Sequence, residues 1–298
     1  MPKRVLLAVN TRARRGRDAR DRAAAALRAR GHTVVELQTD GAPGSLSRAI
    51  VERAKDVDVV AVGGGDGTIV SAIAGLRETG LPLLALPLGT FNELARTLGI
   101  PFDVDEAAAL LDAGVPYRID VARANDFDYV NEASIGLSTS VARLQTGVVK
   151  KRLGMLAIPV TTLRALRYAR PFHVDVELDD GTRRRFRTIQ LTVANSYRFG
   201  GVVENPEAAI DDGQLWLYTI DIKRWWHAFG ILASIGLHRF PHAPDVVALR
   251  GRTFVVHTHR PRRVYADSEP ATHSPVTFTV AREAIAIYVP PDRVEAIR

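Results

Sequence analysis

Two short segments carry residue types suited to handling phosphate. The first is Gly63-Gly64-Gly65-Asp66-Gly67-Thr68, set between the apolar run Val59-Val60-Ala61-Val62 and a helical pattern beginning near Thr68. Glycines at such a junction accept positive φ and let a phosphate approach backbone N–H groups with no Cβ in the way. The amino end of the following helix adds favourable partial charge. A lone carboxylate there, Asp66, suits a Mg²⁺ ion carried by the phosphate, or a proton transfer. The plainer reading is a Gly-rich turn with Asp66 as the cap of its helix. Three glycines, Asp, Gly and Thr together at the end of a buried strand favour the nucleotide.

The second segment, Pro87-Leu88-Gly89-Thr90-Phe91-Asn92, repeats the logic. Gly89 and Thr90 would lie beside the first loop if their strands are neighbours, and Asn92 is a candidate helix cap. A third junction follows Asn10, where Arg12, Arg14, Arg15 and Arg17 crowd one short loop. Arginine forks suit phosphate oxygens. A solvated basic turn accounts for them equally well.

These residues need elements to hold them. Apolar strands at 4–10, 32–39, 58–64 and 81–89 alternate with helical patterns at 18–30, 45–55 (Ser-capped), 68–78, 91–98 and 105–112, the last capped by Asp103. Continuous apolar strands separated by helices predict βαβ units and a parallel sheet covered on both faces. After about residue 115 the rhythm changes. A hairpin at 117–136, helical patches at 138–147 and 153–169, and then strands with Asp-Gly turns indicate antiparallel sheet, interrupted by one helix at 223–239. The sequence thus predicts an α/β N-terminal domain over 1–120 and a β-rich domain over 121–280.

Composition narrows the classes. Of 298 residues, 46% are apolar, enough for a sizeable core, and no cysteine is present, which excludes disulfides and thiolate metal sites. The eight histidines show no zinc-like spacing, and His257 and His259 alternate along a strand. The apolar run near the N-terminus breaks too soon for a signal peptide, and no stretch reaches the ~20 residues of a membrane span. The formal charge of +7 suits a polyanionic partner or an anionic membrane surface, or reflects arginine-rich composition alone. Without a helix-turn-helix or RNA-binding motif, nucleic acid is the least favoured partner.

Taken in order, "GGDGT" (64–68), "PLGTFN" (87–92), "NEASIG" (131–136), "ANSYRFGGVVENPEAAIDDGQLWLY" (194–218) and "YADSEP" (265–270) resemble the diacylglycerol kinase catalytic family. The likeness is to its soluble bacterial lipid kinase branch, which includes sphingosine kinase-like members. It implies an NAD kinase/phosphofructokinase-like α/β domain, an antiparallel β-sandwich domain, a cleft between them, and a segment 281–298 returning to the first domain. It also implies transfer of the ATP γ-phosphate to a lipid hydroxyl, diacylglycerol-like, with Mg²⁺. The ATP site would take in Asn10, Thr11, Arg12, Ala13, Arg14, Thr39, Gly64, Gly65, Asp66, Gly67, Thr68, Ile69, Val70, Ser71, Gly89 and Thr90. Glu269 would be the general base, and Asp66 and Asp267 the natural partners of Mg²⁺. Asp212, with the carbonyls of Ala209 and Gln214, would match a structural Mg²⁺ site.

Three positions depart from the family pattern. Its first loop is usually Asn-Pro-x-Ser-Gly, where this chain has Asn10-Thr-Arg-Ala-Arg-Arg-Gly16. Val70-Ser71 stands for the usual Asn-Glu, and Asp267-Ser268-Glu269 for Asp-Gly-Glu. Alternatives are an NAD kinase, which shares the glycine motif, and a weakly catalytic homologue that binds lipid or nucleotide. The expected location is cytoplasmic, peripheral at the inner face of the membrane. The contact would come through 143–154, whose basic residues include Lys150 and Lys151, or through the Trp-bearing stretch 223–240.

Overall fold

The computed structural model describes residues 1–10, 16–37, 42, 44–137, 169–200, 203–220, 230–231, 234 and 239–294. The chain divides into two compact units. One comprises Met1–Val121, Ala209–Asp212 and Ala281–Arg298, and the other Ala122–Ala208 and Gly213–Val280.

In the first unit, apolar runs become β1 (Arg4–Val9), β2 (Thr33–Leu37), β3 (Val59–Gly64) and β4 (Leu83–Pro87), joined by α1 (Gly16–Ala29), α2 (Ser45–Arg53) and α3 (Asp66–Thr79). α4 (Glu93–Leu98) and α5 (Val104–Ala113) then lead into β5 (Val115–Ala124). The strands pair in parallel in the order β2-β1-β3-β4. β3 and β4 are buried throughout, as strands covered on both faces must be. Helix periodicity supplies the cover: α1 turns Ala19, Ala23, Ala24 and Leu27 inward. Asp103 accepts from the Asp105 and Glu106 amides and starts α5 where the sequence expects. The start of α2 differs from expectation. Gly44 occupies its cap position at φ 73°, and no side chain caps the helix. Ser45 is instead its first residue.

The second unit contains β6 (Phe127–Tyr129), β7 (Glu132–Gly136), β8 (Phe172–Leu178), β9 (Arg183–Thr188), β10 (Gln190–Ala194), β11 (Arg198–Phe199) and β12 (Val203–Glu204). β13 (Leu215–Ile220), β14 (Val246–Gly251), β15 (Thr253–Thr258), β16 (Arg263–Ala266), β17 (Glu269–His273) and β18 (Val276–Val289) follow, β18 passing into the first unit at Ala281. One layer is ordered β14-β13-β10-β7-β16-β17; in the other, β15 pairs with β8 and with the first part of β18, and β9 pairs with β8. These pairings are antiparallel. Ile135, Leu191, Val193, Leu217 and Val264 of the first layer share a core with Val174, Val176, Phe254, Val256 and Phe278 of the second. Two sheets with a common apolar interior make a β-sandwich. The last part of β18 pairs in parallel with β4. The helical patches expected at 138–147 and 153–169, the stretch 143–154 expected to face the membrane, and most of the helix expected at 223–239 lie outside the described residues.

Candidate active site

β3 delivers the first glycine loop. Its register with β4 sets Gly63 opposite Leu86 and Gly64 opposite Pro87, and the Leu88 amide donates to the Gly64 carbonyl at 2.9 Å. The two glycine-bearing loops therefore leave the sheet side by side. A Cβ on Gly89 would come within 2.5 Å of the Gly65 Cα and 2.6 Å of Asn92 Oδ1. A Cβ on Gly64 would overlap the Thr68 side chain. Positive φ is not what the loop needs: Gly63, Gly64, Gly65 and Gly67 all lie outside that region, with Gly65 at φ −93°. This corrects the expectation from sequence. These glycines serve close approach between segments, not left-handed backbone.

α3 begins at Asp66, two residues earlier than the sequence pattern indicates, and its N-cap residue, Gly65, has no side chain to cap it. The first amides of a helix have no acceptor within it. The amino end of α3 thus offers N–H groups and positive partial charge at the carboxyl edge of a parallel sheet, where α/β folds bind ligands. Asp66 does not cap its own helix. Its Oδ2 accepts from the Glu93 amide and its Oδ1 from the Leu94 amide, each at 3.1 Å, so it caps α4. Asn92, the expected cap of α4, instead closes a ring with Gly89. Its Oδ1 accepts from the Gly89 amide at 2.9 Å, its Nδ2 donates to the Gly89 carbonyl at 3.0 Å, and its φ is 48°.

The other expected nucleotide residues fall around these loops. The Asn10 amide donates to the Gly63 carbonyl at 2.9 Å, which brings the end of β1 to the same place. Thr90 and Ser71 are exposed, Val70 is half-buried and Ile69 is buried. Ser71 Oγ donates back to the Thr68 carbonyl at 2.6 Å. Thr11, Arg12, Ala13, Arg14 and Thr39 lie outside the described residues.

In the second unit, Asp267 and Ser268 form the two-residue turn between β16 and β17, at φ 44° and 71°. Two central residues at positive φ make a type I′ hairpin turn, which glycine and asparagine normally supply. Asp267 is the anchor of this turn. Its carboxylate accepts from the amides of Val130 (2.7 Å), Asn131 (3.0 Å) and Glu132 (3.1 Å), while its own amide donates to the Glu132 carbonyl at 2.8 Å. The "NEASIG" segment and the "YADSEP" segment are thereby one structure. Asn195 joins them, donating from Nδ2 to the Val130 carbonyl at 3.1 Å and from its amide to the Asn131 carbonyl at 2.8 Å. Glu269 follows the turn as an exposed carboxylate.

Some residues escaped the sequence reading. Tyr129 is fully buried, and its hydroxyl has no hydrogen-bond partner among the described residues. Burial first, then the charges of Asp267 and Glu132, hold its pKa well above the ordinary tyrosine value. Asp120 is a buried carboxylate accepting from the Glu283 amide at 2.8 Å, and its own amide donates to the Ile210 carbonyl. Its sequence signal was an aspartate flanked by Ile119 and Val121 inside a buried strand. At the Asp-Asp-Gly turn, closed by Gly213 at φ 67°, Asp211 is the residue that accepts from the Tyr117 hydroxyl. Ala209 and Asp212 group with the first unit, although the sequence assigns them to the second domain, and Gln214 belongs to the second.

Mg²⁺ takes hard oxygen ligands and keeps part of its water shell. The carbonyls of Ala209 and Gln214 with the Asp212 carboxylate are oxygen donors of that kind. Asp66 also fits, since each carboxylate oxygen accepts more than one partner. Asp267, 9% exposed with three amides on its two oxygens, is poorly suited to a metal. Among the described residues, no three His, Cys, Asp or Glu side chains are grouped to hold an ion.

Known proteins place this architecture. Residues 4–124 match the diacylglycerol kinase catalytic domain, and residues 131–289 match the YegS C-terminal NAD kinase beta sandwich-like domain. The chain belongs to the diacylglycerol kinase catalytic family, in the bacterial branch whose second domain is of the YegS type. It is 27% identical over 275 residues to the "Probable lipid kinase YegS-like" of Shewanella frigidimarina, covering 90% of this chain and 88% of that one. A diacylglycerol kinase of Staphylococcus epidermidis is 25% identical over 242 residues, covering 80% and 76%. A solved diacylglycerol kinase structure from Bacillus anthracis superposes with a TM-score of 0.78 at 25% identity, covering 97% of this chain and 98% of that one. The family is one of kinases, and these relatives are named for lipid substrates.

Proposed function

We propose that this protein transfers the γ-phosphate of ATP to a hydroxyl of a diacylglycerol-like lipid at a membrane surface. The observation that carries the nucleotide half is the amino end of α3, whose N-cap Gly65 supplies no side chain, beside Gly64 and Gly89, where an added Cβ would collide with Thr68 and with Gly65. Phosphoryl transfer asks for positioning and charge neutralisation more than covalent work. The α3 amides would hold phosphate oxygens. Asp66 would keep the two loops together through α4, leaving acceptor positions toward a hydrated Mg²⁺. Bound at Asp66, or at the turn of Ala209, Asp212 and Gln214, that ion would neutralise phosphate charge.

Glu269 would accept the proton of the attacking alcohol, a role worth roughly 10²–10⁴-fold. We assign Asp267 a positioning role. By gripping three consecutive amides it fixes the turn from which Glu269 projects. Among the described residues no helix is long and apolar enough to cross a membrane, so the lipid would be met at an interface.

The test is direct. Purified protein is incubated with Mg²⁺ and ATP labelled on its γ-phosphate, and is offered mixed lipid extract in one tube and NAD in another. Label entering a chloroform-soluble product is the expected result. Label in NADP, or in neither pool, overturns the proposal, the first outcome in favour of an NAD kinase and the second in favour of a binding homologue.

A further inference from the structure

The outer face of β9, β8 and β15 carries a pattern that phosphoryl transfer does not use. Strand alternation buries Phe172, Val174 and Val176 and turns His173 and Asp175 outward. Register then builds a row across three strands. Arg185 stands opposite Asp175, and Asp175 opposite His257. The segment after β15 adds His259, Arg260 and Arg262. It is pinned by Thr258 Oγ1 donating to the Arg260 carbonyl at 2.7 Å and by the Arg262 amide donating to Ser274 Oγ at 2.9 Å. Together these residues line a cavity of about 500 Å³.

The charge in this cavity is lopsided. Among the described residues, Asp175 is the one carboxylate in its lining. Both its oxygens are taken by Arg185, Nε to Oδ1 at 2.6 Å and Nη2 to Oδ2 at 3.2 Å. Arg260, Arg262 and three histidines remain facing the same space. Arg262 is the most telling of them. Its guanidinium lies over the Phe172 ring at 4.0 Å, and it is half-buried. Burial pushes its pKa down, and no carboxylate among the described residues offsets the loss of water. A partly desolvated guanidinium seated over an aromatic face is a pre-set fork for an oxyanion. A cation is disfavoured, because no three acidic or histidine side chains among the described residues are grouped to hold a metal.

We propose that this cavity binds a phosphate group, gripped by Arg262 and Arg260 with the histidines completing the donor set. The cavity has the size of small-molecule sites, which span roughly 300–1,000 Å³. A phosphate bearing a glycerol-sized substituent therefore suits it better than the bare ion. That chemistry reaches the protein as a soluble phosphomonoester or as the headgroup of an anionic lipid. The site is separate from the nucleotide loop and does not rest on the lipid kinase reading.

Three probes distinguish the sources: labelled inorganic phosphate and labelled glycerol 3-phosphate by equilibrium dialysis, and vesicles of phosphatidylglycerol with phosphatidylcholine by co-sedimentation. The variant is Arg260→Ala with Arg262→Ala. Because Arg262 packs on Phe172, His259→Glu with Arg260→Glu at exposed positions is made alongside. Arg30→Ala with Arg53→Ala removes two positive charges elsewhere, as many as the first variant does. Wild type should bind glycerol 3-phosphate saturably and more tightly than inorganic phosphate. Both cavity variants should weaken binding by roughly tenfold or more, the scale of a lost charge-assisted fork. The control should not. Loss confined to the soluble probes assigns a metabolite-type ligand; loss confined to vesicles assigns a headgroup. Binding by wild type that is unchanged in both cavity variants, or no binding to any probe, overturns the site and leaves a solvated sheet face.

Discussion

Asp66 and Asp267 belong to different units and do the same mechanical work by different means. Each carboxylate accepts backbone amides from another segment, two from the start of α4 for Asp66 and three from the β6–β7 connection for Asp267. Around Asp66 glycines let two loops touch with none of those glycines at positive φ. Asn92, at φ 48°, is the one left-handed residue among the two loops, held by its ring with Gly89. The Asp267–Ser268 turn contains no glycine, and both its residues sit in the left-handed region. One site reaches closeness by removing side chains. The other reaches it by holding strained backbone in place with charge-assisted hydrogen bonds. Asp267 should therefore be far harder to replace than Asp66.

The largest effect we expect is from Asp267→Ala. Each buried amide left without a partner costs about 1–3 kcal/mol, so stability should fall by on the order of 3 kcal/mol or more, read from the urea midpoint. Turnover should collapse with it. An unchanged midpoint would refute the anchoring role. Glu269→Gln gives the contrast within the same turn. Its side chain is exposed, so the urea midpoint should not move, while turnover falls by roughly a hundredfold or more and ATP affinity holds. Parallel losses of stability and rate would mean that Glu269 is a structural residue. Asp66→Ala stands next. With two amides on a half-buried carboxylate, it should lose about 1–2 kcal/mol, as helix caps do, and lose ATP binding by calorimetry. Intact ATP affinity would remove Asp66 from the nucleotide site.

Much of this was legible in the chain. The βαβ rhythm and the junction of "GGGDGT" with a helix follow from apolar runs, whereas the pairing of both glycine loops depended on β3 and β4 being neighbours, which the sheet register supplies. What was not legible was the partner of each polar group. Asp66 sits at the start of α3 yet caps α4, 27 positions away along the chain, and nothing local in the sequence says so. Asp267 looks like a solvated turn residue until the β16–β7 pairing brings Val130, Asn131 and Glu132 beneath it. Local rules placed the loops, and sheet register decided which carboxylate met which amide.

Ser268→Gly acts on the same turn in the opposite direction. Serine at φ 71° pays a steric penalty that glycine does not. The substitution should raise stability by about 0.5–1 kcal/mol, net of the greater freedom glycine brings to the unfolded chain. Turnover that rises as well would show that strain displaces Glu269. A stabilised protein of unchanged rate would show that Asp267 already fixes the turn. Loss of stability would contradict the strained-turn account.

The smallest effect at neutral pH is expected from Tyr129→Phe, and it tests what surrounds the Asp267 anchor. The Tyr129 hydroxyl is buried without a partner among the described residues, so its removal should change stability by no more than about 1 kcal/mol, in the favourable direction. Alkaline pH separates the two proteins. In the folded state burial and the charges of Asp267 and Glu132 hold the phenol's pKa well above its unfolded value. A raised folded pKa means the stability it confers is complete below the unfolded value, near pH 10, and is lost as pH climbs toward the folded one. Above pH ~10 the unfolded chain gains by releasing this proton while the folded chain cannot. Wild type should thus lose stability faster than Tyr129→Phe as pH rises past that point, measured as urea midpoints from pH ~8 to ~11. Identical alkaline slopes would mean that the phenol ionises freely in the folded protein. The interior beneath the Asp267 turn would then be open to water, and the three amides would not depend on that carboxylate alone.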